Sequence, residues 1–211
     1  MPHIILLGDS IFDNAAYTAG GPDVVSQLRM LLPSGWTATL LAVDGHRTED
    51  INRQFARLPS GATHLVLRVG GNDALSHGDL LSRPARSAAE VLTQLANAAG
   101  EFEERYRRLI ARLLLAGLPL TVCTIYNGNF PDRDFQRIVS TALSSFNDVI
   151  LRVGFERRLT IIDLRLVCDE PADYANPIEP SSIGGAKIAR AITAAVGAAN
   201  MVLGLSRVVI S

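Results

Sequence analysis

Three short segments hold the residues whose types could do chemistry. Gly8-Asp9-Ser10 follows the apolar run Ile4–Leu7. A serine on a tight strand-to-helix turn exposes its hydroxyl, and its own N–H can face a developing oxyanion. The second segment is Val43-Asp44-Gly45-His46, where a glycine lets the backbone approach a ligand closely. The third is Gly70-Gly71-Asn72-Asp73, where an asparagine amide can donate to the same oxyanion. Each segment also has an ordinary reading: Ser10 and Asp73 as helix caps, Gly45 as a turn glycine. Taken together they bring one nucleophile and the donors Ser10 N–H, Gly45 N–H and the Asn72 amide to adjacent strand ends. That coincidence is much more specific than any one part.

The elements that must position these groups alternate along the chain. Ile4–Leu7 is a continuous apolar run, as in a strand buried on both faces. Trp36–Val43, His64–Val69, Leu120–Ile125 and Thr160–Leu164 are read as four further strands. Helical spacing marks Pro22–Leu32, Thr48–Leu58 with Thr48 as its cap, a long region from about Arg86 to Ala116, Phe135–Phe155 and Ser181–Gly204. Gly117 and Pro119 end the long region. Strands alternating with helices imply an α/β fold with a five-stranded parallel sheet covered on both faces, and reactive groups gather at the carboxyl ends of such strands. With no linker-like composition shift and no internal repeat, residues 1–211 read as a single domain.

These blocks, in this order, resemble the SGNH (GDSL) hydrolase superfamily: Gly8-Asp9-Ser10, Gly45, then Gly70-Gly71-Asn72-Asp73. A last block lies in Asn176-Pro177-Ile178-Glu179-Pro180-Ser181, followed by Gly184-Gly185 and a helix. The resemblance covers nearly the whole chain. It implies a flavodoxin-like three-layer α/β/α sandwich with strand order 2-1-3-4-5. It also implies hydrolysis of esters, with Ser10 as nucleophile and Ser10, Gly45 and Asn72 as the oxyanion hole. Asp9, Gly71 and Asp73 support the site. No metal or organic cofactor is implied, and the expected partner is a small-molecule ester.

The last block departs from the superfamily pattern Asp-x-x-His-Pro. Asn176 and Glu179 stand where the aspartate and the histidine base belong, while Pro180 and Ser181 keep the frame. The chain has four histidines, His3, His46, His64 and His77, and none follows His77. His3 and His64 begin strands at the far end of the sheet. Three readings follow. Glu179 is the base: an ordinary carboxyl near pKa 4.3 is too acidic for this, but burial can raise it toward 6–7. Asn176 beside it then avoids a second carboxylate. Alternatively His46 or His77 reaches the cleft. Or the protein is a weakly active or inactive binding protein on the same fold, since an oxyanion hole without a complete triad still accelerates hydrolysis ~10³–10⁴-fold.

Other residues carry weaker signals. Asp13 is read as a helix cap or a group that positions Ser10. Tyr126-Asn127-Gly128-Asn129 closes the fourth strand, as a loop or as pocket lining. Asp163 and Arg165 form an ion pair; Asp173 and Tyr174 line the cleft or the surface. The charges from Glu101 to Arg112 read as a solvated helix face. Cys123 and Cys168 cannot build a disulfide framework or a four-thiolate zinc site. No aromatic platform for sugars and no long apolar channel is legible.

Composition bounds the rest. Lys and Arg number 20 against 21 Asp and Glu, a net charge of −1, which gives no electrostatic case for a nucleic-acid or anionic-membrane partner. Hydrophobic residues make up 48%, enough for a sizeable core. The start Met-Pro-His-Ile-Ile has no basic region and too short an apolar run for a signal peptide. Ile183–Leu205 contains Lys187 and Arg190 with apolar residues at helical spacing, so it reads as a core helix and not a membrane span. The expected location is therefore cytoplasmic.

Overall fold

The computed structural model describes residues 1–199 and 207–210. Six strands form one parallel sheet: β1 (His3–Gly8), β2 (Thr37–Leu40), β3 (His64–Arg68), β4 (Leu120–Cys123), β5 (Thr160–Ile162) and β6 (Arg207–Val209). Their order is β2-β1-β3-β4-β5-β6. The expected 2-1-3-4-5 arrangement is present, but the sheet has six strands and not five. β6 extends the edge, pairing Ile161 with Val208. Its run Arg207-Val208-Val209 lies beyond the helix read to Gly204 and is too short to mark a strand by pattern.

Alternation along each strand builds two cores, one per face. Ile4 and Leu6 of β1 join Val66, Cys123 and Ile162 on one side; Ile5 and Leu7 join Leu65, Leu67, Val122 and Ile161 on the other. The first core is covered by α1 (Val24–Leu31) and α6 (Ser182–Ala199), which pack on each other. The second is covered by α4 (Ala88–Leu114) and α5 (Arg133–Glu156). In chain order, α2 (Ile51–Phe55) follows β2 and α3 (Gly71–Leu75) follows β3. This is the three-layer sandwich expected.

Boundaries shift for local reasons. The chain beyond β2 still runs beside β1, since Ala42 N–H donates to Leu6 O at 3.0 Å and Val43 N–H to Gly8 O at 3.2 Å. The reading Thr48–Leu58 is a 3-10 turn, Thr48–Asp50, followed by the short α2. Thr48 does not cap it; its hydroxyl donates to Asp73 Oδ2 at 2.9 Å. The helix read to Gly204 is described to Ala199, and residues 200–204 lie outside the described residues.

The Glu101–Arg112 charges are in part an inter-helix network and not only a solvated face. Arg152 of α5 bonds Glu103 at 2.8 Å, and Glu103 also holds Arg107 at 2.7 Å. By length and composition α5 is apolar enough to cross a membrane. Its inner face, with Phe146, Val149, Ile150 and Val153 buried, packs on the sheet. Asp163 and Arg165 pair at 2.6 Å as expected. Cys123 and Cys168 are free and buried.

Candidate active site

The loops after β1, β2, β3 and β4, with the segment before α6, meet at the carboxyl end of the sheet. Gly8 makes the first turn possible. Its φ is +152°, and a Cβ there would sit 2.1 Å from the Arg68 carbonyl oxygen. Gln54 of α2 clamps the same residue from both sides: Gly8 N–H donates to Gln54 Oε1 at 2.9 Å, and Gln54 Nε2 donates to Gly8 O at 2.7 Å. Beyond it the chain turns, with Phe12 and Asp13 N–H donating to Asp9 O at 3.1 Å each. Ser10 stands at the crest.

Ser10 Oγ donates to Glu179 Oε1 at 3.0 Å. Glu179 is 7% exposed, and its second carboxylate oxygen is buried with no hydrogen-bond partner. Burial pushes its carboxyl up to about 7. The Ser10 hydroxyl and the Arg68 charge oppose this, and Asp9 and Asp44 add to it.

Glu179 is held by its own loop. Asn176 Oδ1 accepts from both Ile178 N–H and Glu179 N–H at 2.9 Å. Ala175 N–H donates to Glu179 O at 2.9 Å, and Tyr174 and Pro180 form an isolated bridge. Asn14 Nδ2 donates to Pro180 O at 3.3 Å, and Tyr126 OH to Ile178 O at 2.6 Å. The loops that carry Ser10 and Glu179 are thus tied by the Asn14 side chain as well as by the pair itself.

Gly45 sits third in the Val43–His46 turn with φ +78°, and His46 N–H closes that turn on Val43 O at 3.2 Å. Only glycine adopts this conformation without strain. Asp13 fixes the turn by accepting Asp44 N–H at 3.0 Å, so it bridges two loops and does not cap a helix. Asn72, in α3, donates through Nδ2 to His46 O at 3.0 Å, which leaves its second amide hydrogen for another acceptor. Asp73 is buried and accepts Thr48 N–H at 3.1 Å, locking the second loop to the third.

The two candidate histidines lie apart from this hydrogen bond. His46 Nδ1 meets Gln54 Nε2 at 2.9 Å. His77 packs on Phe146 with ring centroids 6.5 Å apart and lines the same cavity as Ser10. Asp173 and Tyr174 do not line that cavity. Asp173 is fully buried behind the Glu179 loop, on Lys187 at 2.8 Å, and Tyr174 OH donates to Cys168 O at 2.6 Å.

Sequence reasoning passed over Arg68 and Gln54. Arg68 ends β3, its side chain 4% exposed, and it is ion-paired with Asp9. Its guanidinium lies 5.6 Å from the centre of the Tyr126 ring. A Cβ on Gly71 would come within 2.9 Å of both terminal nitrogens of Arg68, so Gly71 makes room for this charge. The available signal was a lone arginine inside the apolar run His64-Leu65-Val66-Leu67-Arg68-Val69. Gln54 had no such signal in a polar helix.

Ser10, Asn72 and Glu179 open into a cavity of about 200 Å³, also lined by Arg68, Tyr126, Asn127 and Gly128. Apart from His77, the rest of its wall is largely apolar, with Leu75 of α3, Leu95 of α4 and Phe146 of α5 among its residues. Among the described residues no group of three His, Cys, Asp or Glu side chains is placed to hold a metal.

The family model for the GDSL-like lipase/acylhydrolase family matches residues 6–184. Comparison with curated proteins gives no significant match. Among solved structures, an extracellular lipase from Streptomyces rimosus has TM-score 0.69 at 14% identity, covering 94% of this chain and 100% of that one. An aryl esterase from M. smegmatis has TM-score 0.67 at 12% identity, covering 94% and 99%. An acetyl xylan esterase from Geobacillus stearothermophilus has TM-score 0.65 at 19% identity, covering 93% and 94%. At these identities the likeness is one of fold.

Proposed function

The chain belongs to the GDSL-like lipase/acylhydrolase family, and from that premise we propose that it hydrolyses carboxylic esters through an acyl intermediate on Ser10, with Glu179 as the general base. The observation that carries this is the Ser10 Oγ–Glu179 Oε1 hydrogen bond at 3.0 Å. A carboxyl raised to about 7 is ionised in a large fraction at neutral pH yet basic enough to take a proton from an attacking hydroxyl.

In the acylation step Ser10 Oγ attacks the ester carbonyl as its proton passes to Glu179 Oε1. The carbonyl oxygen becomes an oxyanion, held by Ser10 N–H, Gly45 N–H and the second Asn72 amide hydrogen. The protonated Glu179 returns its proton to the departing alkoxide, which leaves as the alcohol. Water then attacks the acyl-enzyme as Glu179 accepts its proton; Glu179 returns that proton to Ser10 Oγ as the Oγ–acyl bond breaks, and the acid is released.

Asn176 and Arg68 support this assignment. Asn176 sets the Glu179 backbone without a second carboxylate beside it. Arg68 takes up the charge of Asp9, which would otherwise face Glu179 inside the same site. The arginine is paired with Asp9, which leaves the Glu179 carboxylate for Ser10.

The test is turnover of short-chain p-nitrophenyl esters by the full chain. Hydrolysis that is abolished in Ser10→Ala and reduced at least 100-fold in Asn72→Ala fits the proposal. Hydrolysis unchanged in both variants defeats it.

A further inference from the structure

The three oxyanion donors come from three different loops, and one buried side chain links them. Gln54 lies in α2 and is 1% exposed. Its Oε1 accepts Gly8 N–H at 2.9 Å and its Nε2 donates to Gly8 O at 2.7 Å, two residues before Ser10. The same Nε2 lies 2.9 Å from Nδ1 of His46, the residue after Gly45. His46 O in turn accepts the Asn72 amide at 3.0 Å. The contacts Gly8–Gln54–His46–Asn72 thus run beside all three donors.

The chemistry of the amide fixes the direction of each bond. Gly8 presents one donor and one acceptor, so Gln54 faces it with Oε1 toward the N–H and Nε2 toward the carbonyl. The reversed amide would set N–H against N–H and oxygen against oxygen. Nε2 then has one hydrogen left and no lone pair to offer. His46 Nδ1 must therefore accept, which puts the imidazole proton on Nε2 of the ring. Asp13 and Asp73 also tie these loops, but at their flanks, through Asp44 N–H and Thr48. The Gln54 link enters at Gly8 and His46, next to the donors. An oxyanion hole works only when its donors are held where the charge develops, and loops rising from separate strands do not keep that spacing unaided.

We propose that Gln54 is a positioning residue for ester hydrolysis: through His46 it sets the spacing of the Ser10, Gly45 and Asn72 donors. It touches no reacting atom. The same link gives His46 its task, as an acceptor for Gln54 and not as a base for Ser10. The assignment rests on Ser10 being the nucleophile.

The test uses His46→Leu and His46→Asn, which leave both Gln54–Gly8 bonds in place, together with Gln54→Ala. His46→Leu removes the acceptor. Its kcat on p-nitrophenyl butyrate should fall about 10–100-fold with KM little changed, since a misplacement of roughly 1 Å costs about 100-fold. Asparagine can set its Oδ1 where Nδ1 stood, so His46→Asn should recover most of that loss. Gln54→Ala should lower kcat at least as far as His46→Leu. In an Asn72→Ala background His46→Leu should cost less than about a third of what it costs alone, because the hole it aligns is already broken. Gln54→Ala strands two backbone groups of Gly8 and can disturb folding, so the wild-type ring is also read directly. Its ¹⁵N spectrum at pH 8 should show His46 Nδ1 without a proton and Nε2 with one. With wild-type hydrolysis intact, an unchanged kcat in His46→Leu, an equal loss in His46→Asn and His46→Leu, full additivity with Asn72→Ala, or a proton on Nδ1 each overturns the role of Gln54 and leaves the Ser10 reading standing. A wild-type chain that hydrolyses no ester at Ser10 defeats the catalytic reading and takes the role of Gln54 with it.

Discussion

Asn176 accepts the backbone N–H of Glu179 through its side-chain oxygen at 2.9 Å. That bond closes the four-residue turn Asn176–Glu179 and aims the Glu179 carboxylate at Ser10. Asparagine and aspartate can both make this turn. They differ in charge. Asn176→Asp is expected to keep the fold but set a second carboxylate near Glu179, which moves the acid limb of the pH–kcat/KM profile above 7. Asn176→Ala removes the turn without adding charge, so kcat falls at least tenfold while the limb stays near 7. Profiles of the two variants separate these effects.

Glu179 makes stability depend on pH with a definite sign. Its folded value of about 7 lies above the ordinary 4.5, so the folded state holds its proton more tightly than the unfolded chain. Between those values stability falls as pH rises, because the folded state binds more protons there. Glu179→Gln keeps a neutral hydrogen-bonding group and escapes this loss. The variant should therefore match the wild type below pH 4.5 and be more stable by roughly 1–3 kcal/mol at pH 8. Urea unfolding at the two pH values measures it. The same variant should lose about 10²–10⁴-fold in kcat/KM, the usual contribution of a general base.

Arg68 and Asp9 form a buried pair, so removing one partner leaves a charge with no counterpart. Arg68→Met should cost about 3–5 kcal/mol of stability. Adding Asp9→Asn removes the stranded charge and should restore part of it. In Arg68→Met the positive charge that favours ionised Glu179 is also gone, so the acid limb of activity should move upward in pH. Thermal melts and pH profiles of the single and double variants test both effects.

Asn72 should act in the transition state more than in the fold. It donates one amide hydrogen to His46 O and offers the other to the oxyanion. Losing an oxyanion donor costs about 2.7–4 kcal/mol of transition-state stabilisation. Asn72→Ala should lower kcat about 10²–10³-fold with KM little changed, while its lost loop contact costs only ~1 kcal/mol of stability. Steady-state kinetics and a denaturant titration on one preparation show the split.

Much of the fold was legible because the strands are continuous apolar runs between helices of clear period. β6 was not, since three residues after a helix give no pattern of their own. The candidate site was legible where chemistry demanded a residue type at a turn: Ser10, Gly45, Asn72 and the substitution at Glu179. It was not legible where a residue acts through burial. Arg68 and Gln54 sit under the loops and touch Asp9 and Gly8 across long stretches of sequence, a relation that only the folded chain creates. The apolar cavity was hidden for the same reason. Leu95 of α4 and Leu143 of α5 line one cavity only when the two helices pack.

The central claim is that Ser10 is made nucleophilic by Glu179. Its most direct measurement is the rate of covalent labelling by a fluorophosphonate, followed by intact mass and peptide mapping, from pH 5 to 9. The account predicts one adduct per chain, on Ser10, forming at a rate that rises through a limb near 7. It also predicts labelling at least 100-fold slower in Glu179→Gln and none in Ser10→Ala. Labelling of Ser10 at the wild-type rate in Glu179→Gln, or an adduct on another residue, would contradict it.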